Sequence, residues 1–168
     1  MTAKKLTKTA VLLAVALLLG FVETWLPPIF PLLPYARIGL GNAAILLALL
    51  WIGVPHAAVI MVLKCVVIGL FSGAPVMILY SLGGSILSFV VMAILLRIGA
   101  NGVPAVSAAG GVMHNLGQVL VAMAITGTTG IAVLLVYLSL FGFVAGAIIG
   151  VIVYFVNKPL SKSLSEEE

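Results

Sequence analysis

Charged positions interrupt this chain so rarely that it reads as long neutral stretches set between single charges. Fourteen uncharged residues lie between Lys8 and Glu23, 26 between Arg37 and Lys64, 32 between Lys64 and Arg97, and 60 between Arg97 and Lys158. A helix that crosses a bilayer needs about 20 predominantly apolar residues. The last three stretches are therefore long enough for more than one span wherever breakers fall inside them. Pro27, Pro28, Pro31 and Pro34 follow the first run, and Gly53-Val54-Pro55 divides the second. Ser72-Gly73-Ala74-Pro75 divides the third, Asn101-Gly102-Val103-Pro104 follows Arg97, and Thr126-Gly127-Thr128-Thr129-Gly130 cuts the last. The pattern predicts six helical segments at 7–26, 36–52, 55–71, 75–97, 104–126 and 131–157. The second and third are short for full spans, so the expectation is five or six crossings. Together they make an all-α polytopic bundle, one integral membrane domain over residues 1–168.

Composition agrees. The chain is 64% hydrophobic and 7% charged, where a soluble domain is nearer half apolar and a quarter charged. A water-soluble fold cannot be covered with so few polar residues. Cys65 is the single cysteine, which excludes a disulfide framework and a cysteine-based zinc site. Asp is absent, and Glu occurs only at Glu23 and at Glu166, Glu167 and Glu168. No metal site, no catalytic residue and no bound cofactor is expected from this inventory.

The net charge of +4 is carried mostly at segment ends. Lys4, Lys5 and Lys8 precede the first segment, Arg97 follows the fourth, and Lys158 and Lys162 follow the sixth. With six crossings all of these fall on one side, the cytoplasmic side by the Lys/Arg bias, with both termini there. They read as topology signals of a bacterial plasma-membrane protein rather than as a nucleic-acid surface. A signal peptide is the competing reading of the basic, then apolar, N-terminus, but no clear small-residue cleavage site follows. Arg37 breaks the bias, at the outer end of the second segment.

Small residues mark helix contacts. Gly142, Gly146 and Gly150 form GxxxGxxxG on one face of the sixth segment, which suits close packing inside the protein or a surface for a partner. Ala10 and Ala14 make an AxxxA step in the first segment, and Gly83-Gly84 and Gly110-Gly111 follow the same packing logic.

Polar residues inside spans are costly and face a bundle interior or a cavity. Glu23 lies near the outer end of the first segment and Lys64 within the third. They pair with each other, bind a ligand, or do both. His114 and Gln118, four apart, share a helix face flanked by Asn115, with Gly117 between. Three strongly polar side chains in five residues point to a polar cavity, with interhelical hydrogen bonding as the alternative. His56, beside Pro55, reads as interfacial. The second segment opens Arg37-Ile38-Gly39-Leu40-Gly41-Asn42, where glycines at a helix start suit close approach of an anion and Arg37 can pair with a carboxylate or phosphate. In depth, Glu23, Arg37, Lys64 and Gln118 fall in the outer half, with His114 and Asn115 near the middle. The expectation is an outward-facing pocket formed by Glu23, Arg37, Asn42, Lys64, His114, Asn115 and Gln118 for an organic molecule with an anionic group. Trp25, Tyr35 and Tyr80 are available for stacking.

The runs at 37–42, Tyr80-Ser81-Leu82-Gly83-Gly84 and His114-Asn115-Leu116-Gly117-Gln118 resemble the Gx transporter family, whose members commonly carry the label heptaprenyl diphosphate synthase component I. The resemblance covers most of the chain. That family is similar to the substrate-binding S components of energy-coupling factor (ECF) transporters, which are small six-helix proteins. The likeness implies partners: a coupling transmembrane protein and two cytoplasmic ATPases, with the AxxxA step at Ala10 and Ala14 as the contact. Relatives beside flavin-dependent electron-transfer components imply a redox or quinone context.

Three functions follow. The first is a transport subunit that captures a small solute, anionic or related to vitamins or isoprenoids; with no Walker A motif, its energy comes from partners. The second takes the family label at face value, as a component in heptaprenyl diphosphate and menaquinone synthesis. That chemistry holds magnesium on a diphosphate through several oxygen ligands, which a chain without Asp does not supply, leaving a non-catalytic role. The third is an anchor for a flavoprotein or quinone assembly. The transport subunit is the preferred reading.

Overall fold

The structure, a computed structural model, describes residues 3–26, 37–100 and 102–165, with side chains through Pro159. Helix α1 runs Ala3–Trp25, α2 Asn42–Trp51, α3 Val54–Phe71, α4 Val76–Arg97, α5 Val103–Thr126 and α6 Leu134–Ser165, with a short 3-10 turn at Thr129–Val133. No strand occurs among the described residues. The breakers act where the sequence places them. Pro55 and Pro104 sit in the first turns of α3 and α5, where a missing N–H costs nothing. Gly53, between α2 and α3, has φ +87°, a conformation open to glycine and strained for other residues.

Among the described residues, five helices are long and apolar enough to cross a membrane, and α2 is not. Its 10 residues rise only about 15 Å, half of a hydrocarbon core of roughly 30 Å. The predicted segment 36–52 is therefore a helix only in its second part, and residues 37–41 enter it without helical structure. The cause is local: Gly39 takes φ +86°, and only from Asn42 onward does the chain close helical hydrogen bonds. The protein is a multi-pass membrane protein.

Neighbouring contacts fix the directions of the helices. Phe21 packs edge-on against Phe71 with ring centroids 6.1 Å apart, and Gly20 lies against Ile68, so α1 and α3 run parallel. Gly69 meets Ile78 across α3 and α4, and Gly110 meets Met92 while Gly84 meets His114 across α4 and α5. Those pairs are antiparallel. Gly142 faces Gly111 and Gly150 faces Pro104, so α6 is antiparallel to α5. The alternation collects Lys4, Lys5, Lys8, Arg97 and Lys158 at one end of the bundle and places Glu23 and Arg37 toward the other.

Helix α2 is the centre. Ala44, Ile45, Leu46, Leu47 and Ala48 are consecutive and all buried, packed with Leu12, Ala16, Ile60, Met61, Met92, Val106 and Val153 from the other five helices. Large apolar side chains such as Leu18, Leu70, Val136, Leu140 and Phe155 are exposed on the outside, as a lipid-facing surface allows.

The glycine motif of α6 is spent inside the molecule. An added Cβ at Gly142 would lie 2.6 Å from the Gly111 carbonyl oxygen, at Gly146 2.6 Å from that of Ser107, and at Gly150 2.6 Å from Pro104. Helix α5 occupies the face that Gly142, Gly146 and Gly150 offer, in keeping with packing inside the protein. Ala10 and Ala14, in contrast, are exposed on α1, beside Val11, Val15 and Leu18.

Candidate functional site

A polar chamber lies where α1, the 37–41 segment, α3, α4 and α5 meet. Five buried polar residues build it: Glu23, Asn42, Lys64, His114 and Gln118, with exposures of 7, 9, 5, 2 and 1%. Helix periodicity places them. His114 and Gln118 share the inner face of α5 by their four-residue spacing, and Lys64 points inward from the middle of α3.

The hydrogen bonds form a chain. Lys64 Nζ donates to Asn42 Oδ1 at 3.1 Å and to Ser85 Oγ at 3.1 Å. Asn42 Nδ2 meets His114 Nδ1 at 3.1 Å, and His114 Nε2 meets Gln118 Nε2 at 3.1 Å. Gln118 Oε1 then accepts the backbone N–H of Arg37 at 3.2 Å. At the other side Glu23 Oε1 accepts the backbone N–H of Gly39. Glu23 and Lys64 are thus held by different partners, and attract each other only across the chamber. Arg37 is half-buried and extends its guanidinium to Met77 Sδ at 2.9 Å.

This network is short of acceptors. Both ring nitrogens of His114 face an amide NH2 group, yet a neutral imidazole accepts at one nitrogen only. Turning the Asn42 amide would aim its NH2 at the Lys64 ammonium, and turning Gln118 would aim its NH2 at the Arg37 N–H. One of the two ring contacts therefore sets an amide NH2 against a ring N–H, while the ring also bonds the Gly84 backbone. The charges, Arg37 and Lys64 against Glu23, leave one positive charge in excess. A buried site rich in donors and with surplus positive charge suits an anion with oxygen acceptors. The void they surround is small, about 10 Å³, and is lined by Glu23, Arg37, Gly39, Gly41, Lys64 and His114 with Ser81.

Not every predicted residue is here. Asn115 turns away from the chamber and donates to the Leu138 carbonyl at 2.6 Å, tying α5 to α6. One position along a helix is about 100° of rotation, enough to move it off the face of His114. The aromatic residues also lie elsewhere. Trp25 is 86% exposed, Tyr80 packs with Val119, Ala122 and Leu138, and Tyr35 falls outside the described residues. His56 begins α3, at the end of the bundle that carries the lysines. Sequence reasoning missed Ser85, and read Gly41 as a place for close approach of backbone or of an anion. An added Cβ at Gly41 would lie 2.9 Å from Lys64 Cδ and 3.1 Å from the Ala16 carbonyl, so this glycine lets the lysine stem through. Ser85 follows Gly84, which marks the close helix approach, but a serine in an apolar helix carries no signal of its own.

The sequence profile of the heptaprenyl diphosphate synthase component I family matches residues 12–156, most of the chain. The chain belongs to that family. The match reaches into every helix and includes every chamber residue. No curated protein and no solved structure matches the chain. The name of the family suggests diphosphate chemistry with magnesium, and the chamber does not fit that ion. A hard divalent cation takes several oxygen ligands, whereas the chamber has one carboxylate set among a lysine and an arginine.

Proposed function

We propose that this family member is the solute-binding membrane subunit of a transporter of the ECF kind, and that it captures a small organic anion from outside the cell. The observation that carries this reading is the buried, donor-rich chamber of Arg37, Asn42, Lys64, His114 and Gln118 inside a membrane bundle. A structural role alone would favour a balanced set of donors and acceptors. By the Lys/Arg bias the end carrying Lys4, Lys5, Lys8, Arg97 and Lys158 is cytoplasmic, which turns Glu23 and Arg37 toward the outside. The exposed AxxxA step at Ala10 and Ala14 suits close approach of a partner helix, and a coupling membrane protein with two ATPases would supply the energy. The family match favours a second reading, a non-catalytic membrane component of heptaprenyl diphosphate or menaquinone synthesis or of a flavin or quinone assembly.

The test is a mild-detergent purification of the tagged chain from its native membrane, with co-purifying proteins identified by mass spectrometry. The expected result is a coupling protein with paired ATPases, lost from the Ala10→Leu/Ala14→Leu variant. A prenyl synthase subunit or a flavoprotein in their place overturns the transport reading in favour of the second.

A further inference from the structure

A second void, also about 10 Å³, lies on the other side of Gly39 and Asn42 from the charged chamber. Its walls include Asn42, Ser88, Ser107, Gly111 and Gly146, in the deepest part of the bundle between α2, α4, α5 and α6. Each void has room for about one water molecule. The second sets three polar side chains, Asn42, Ser88 and Ser107, among the apolar Ile38, Met92 and Ile149. Ser88 is 1% exposed and Ser107 6%, and the Ser88 hydroxyl has no hydrogen-bond partner. A buried hydroxyl left unsatisfied is destabilising and calls for an explanation. Its neighbours do not supply one: Met92 and Gly110 pack beside it.

The wall between the voids is thin. Gly39 lines both voids, and Asn42, which lines the second, is bonded to Lys64 and His114 of the first. Residues 37–41 are not helical. Their backbone is tied down by the Asn42 N–H to the Gly39 carbonyl at 2.8 Å, the Ala43 N–H to that of Leu40 at 3.1 Å, and the bonds to Glu23 and Gln118. A segment held this lightly can move without unfolding a helix.

We propose that the two voids are the ends of one elongated solute site, opened when residues 37–41 shift. The anionic group of the solute lies with Arg37 and Lys64, and an uncharged hydroxyl or carbonyl of the same molecule meets Ser88 and Ser107. The solute class is a monoanion with a second, uncharged hydrogen-bonding group. One net positive charge in the first chamber and none in the second set that class. This inference rests on the solute-binding reading above and adds a second pole to it.

The test uses the full chain in lipid nanodiscs with Cys65, which is buried, replaced by Ala. Single cysteines are introduced as Ser81→Cys in the charged chamber and Ser88→Cys in the second void, with Ser107→Cys taking its place if Ser88→Cys is not monodisperse. The probes are two methanethiosulfonates, one bearing a sulfonate and one a trimethylammonium, with rates normalised to those with 2-mercaptoethanol. The expected result is that both cysteines react, with the sulfonate favoured by roughly tenfold or more, as a cleft of one charge sign accelerates a counter-ion. Lys64→Gln should bring that preference close to parity. Reaction at Ser81→Cys with none at Ser88→Cys or Ser107→Cys overturns the two-pole site, makes the second void a sealed water site, and leaves the anion chamber standing. No reaction at any position overturns the solute-binding reading as well. Reaction without a sulfonate preference overturns the assigned solute class.

Discussion

The seam between α5 and α6 and the chamber between α1, α2, α3 and α5 are opposite kinds of contact. The seam brings backbone against backbone through Gly111, Gly142 and Gly146. Its close approach is made by backbone, and the Asn115 side chain adds a bond to the Leu138 carbonyl. The chamber brings together long polar side chains, Lys64 and Gln118 among them, around a void. It is rich in donors and part of its wall is non-helical. The difference separates holding from binding: the first contact is closed by backbone, and the second leaves polar groups around a void.

The largest effect should come from breaking the seam. Gly111→Leu drives a side chain into the Gly142 carbonyl and the Gly146 backbone, neither of which can turn aside. Overpacking costs about 1–3 kcal/mol where side chains can yield, and here the obstacle is backbone. We expect no monodisperse protein by size-exclusion chromatography.

Next comes the chamber. Lys64→Met leaves the buried Glu23 carboxylate with less compensation and should destabilise the fold by about 3 kcal/mol, read from thermal unfolding in detergent. Glu23→Gln in the same chain should restore at least ~1 kcal/mol, because the two charges share a chamber and their substitutions are not additive. Strict additivity would show that they do not sense one another.

Asn115→Ala sharpens the boundary between the two regions. It removes the bond to the Leu138 carbonyl and should cost about 1 kcal/mol, the usual scale for an interhelical hydrogen bond in a membrane. The sulfonate preference at Ser81→Cys should stay as it is. A lost preference would return Asn115 to the site. The smallest effect belongs to Ala10→Leu/Ala14→Leu. Both residues face outward, so thermal stability should change by less than about 0.5 kcal/mol even where partner recovery is abolished.

The seam was legible in the sequence because GxxxGxxxG states its own geometry: three glycines four apart must share a helix face. Its partner was not, since nothing in the spacing of Gly142 and Gly146 says whether Gly111 or another protein fills that face. The chamber was half legible. Glu23, Arg37, Lys64, His114 and Gln118 stand out because charge and amide groups are costly in lipid. Asn115 stands out for the same reason and yet serves the seam, since composition does not report a rotation of about 100° around a helix axis. Ser85 and Ser88 were invisible, being small hydroxyls of a kind that scatter through membrane helices.

By itself, then, the sequence determined that the chain lives in a bilayer, how many apolar segments it has and where proline and glycine divide them, because these are one-dimensional properties of burial and backbone freedom. It also determined which polar groups need partners. The tertiary structure decided which partners they find. It left residues 37–41 of the second segment non-helical, put ten residues of α2 at the centre of the bundle, and brought Asn42, Lys64, Ser85 and His114 within hydrogen-bonding distance across as many as 72 positions of chain. Such meetings depend on helix rotation and crossing, which are set by packing among all six helices at once and by no segment alone.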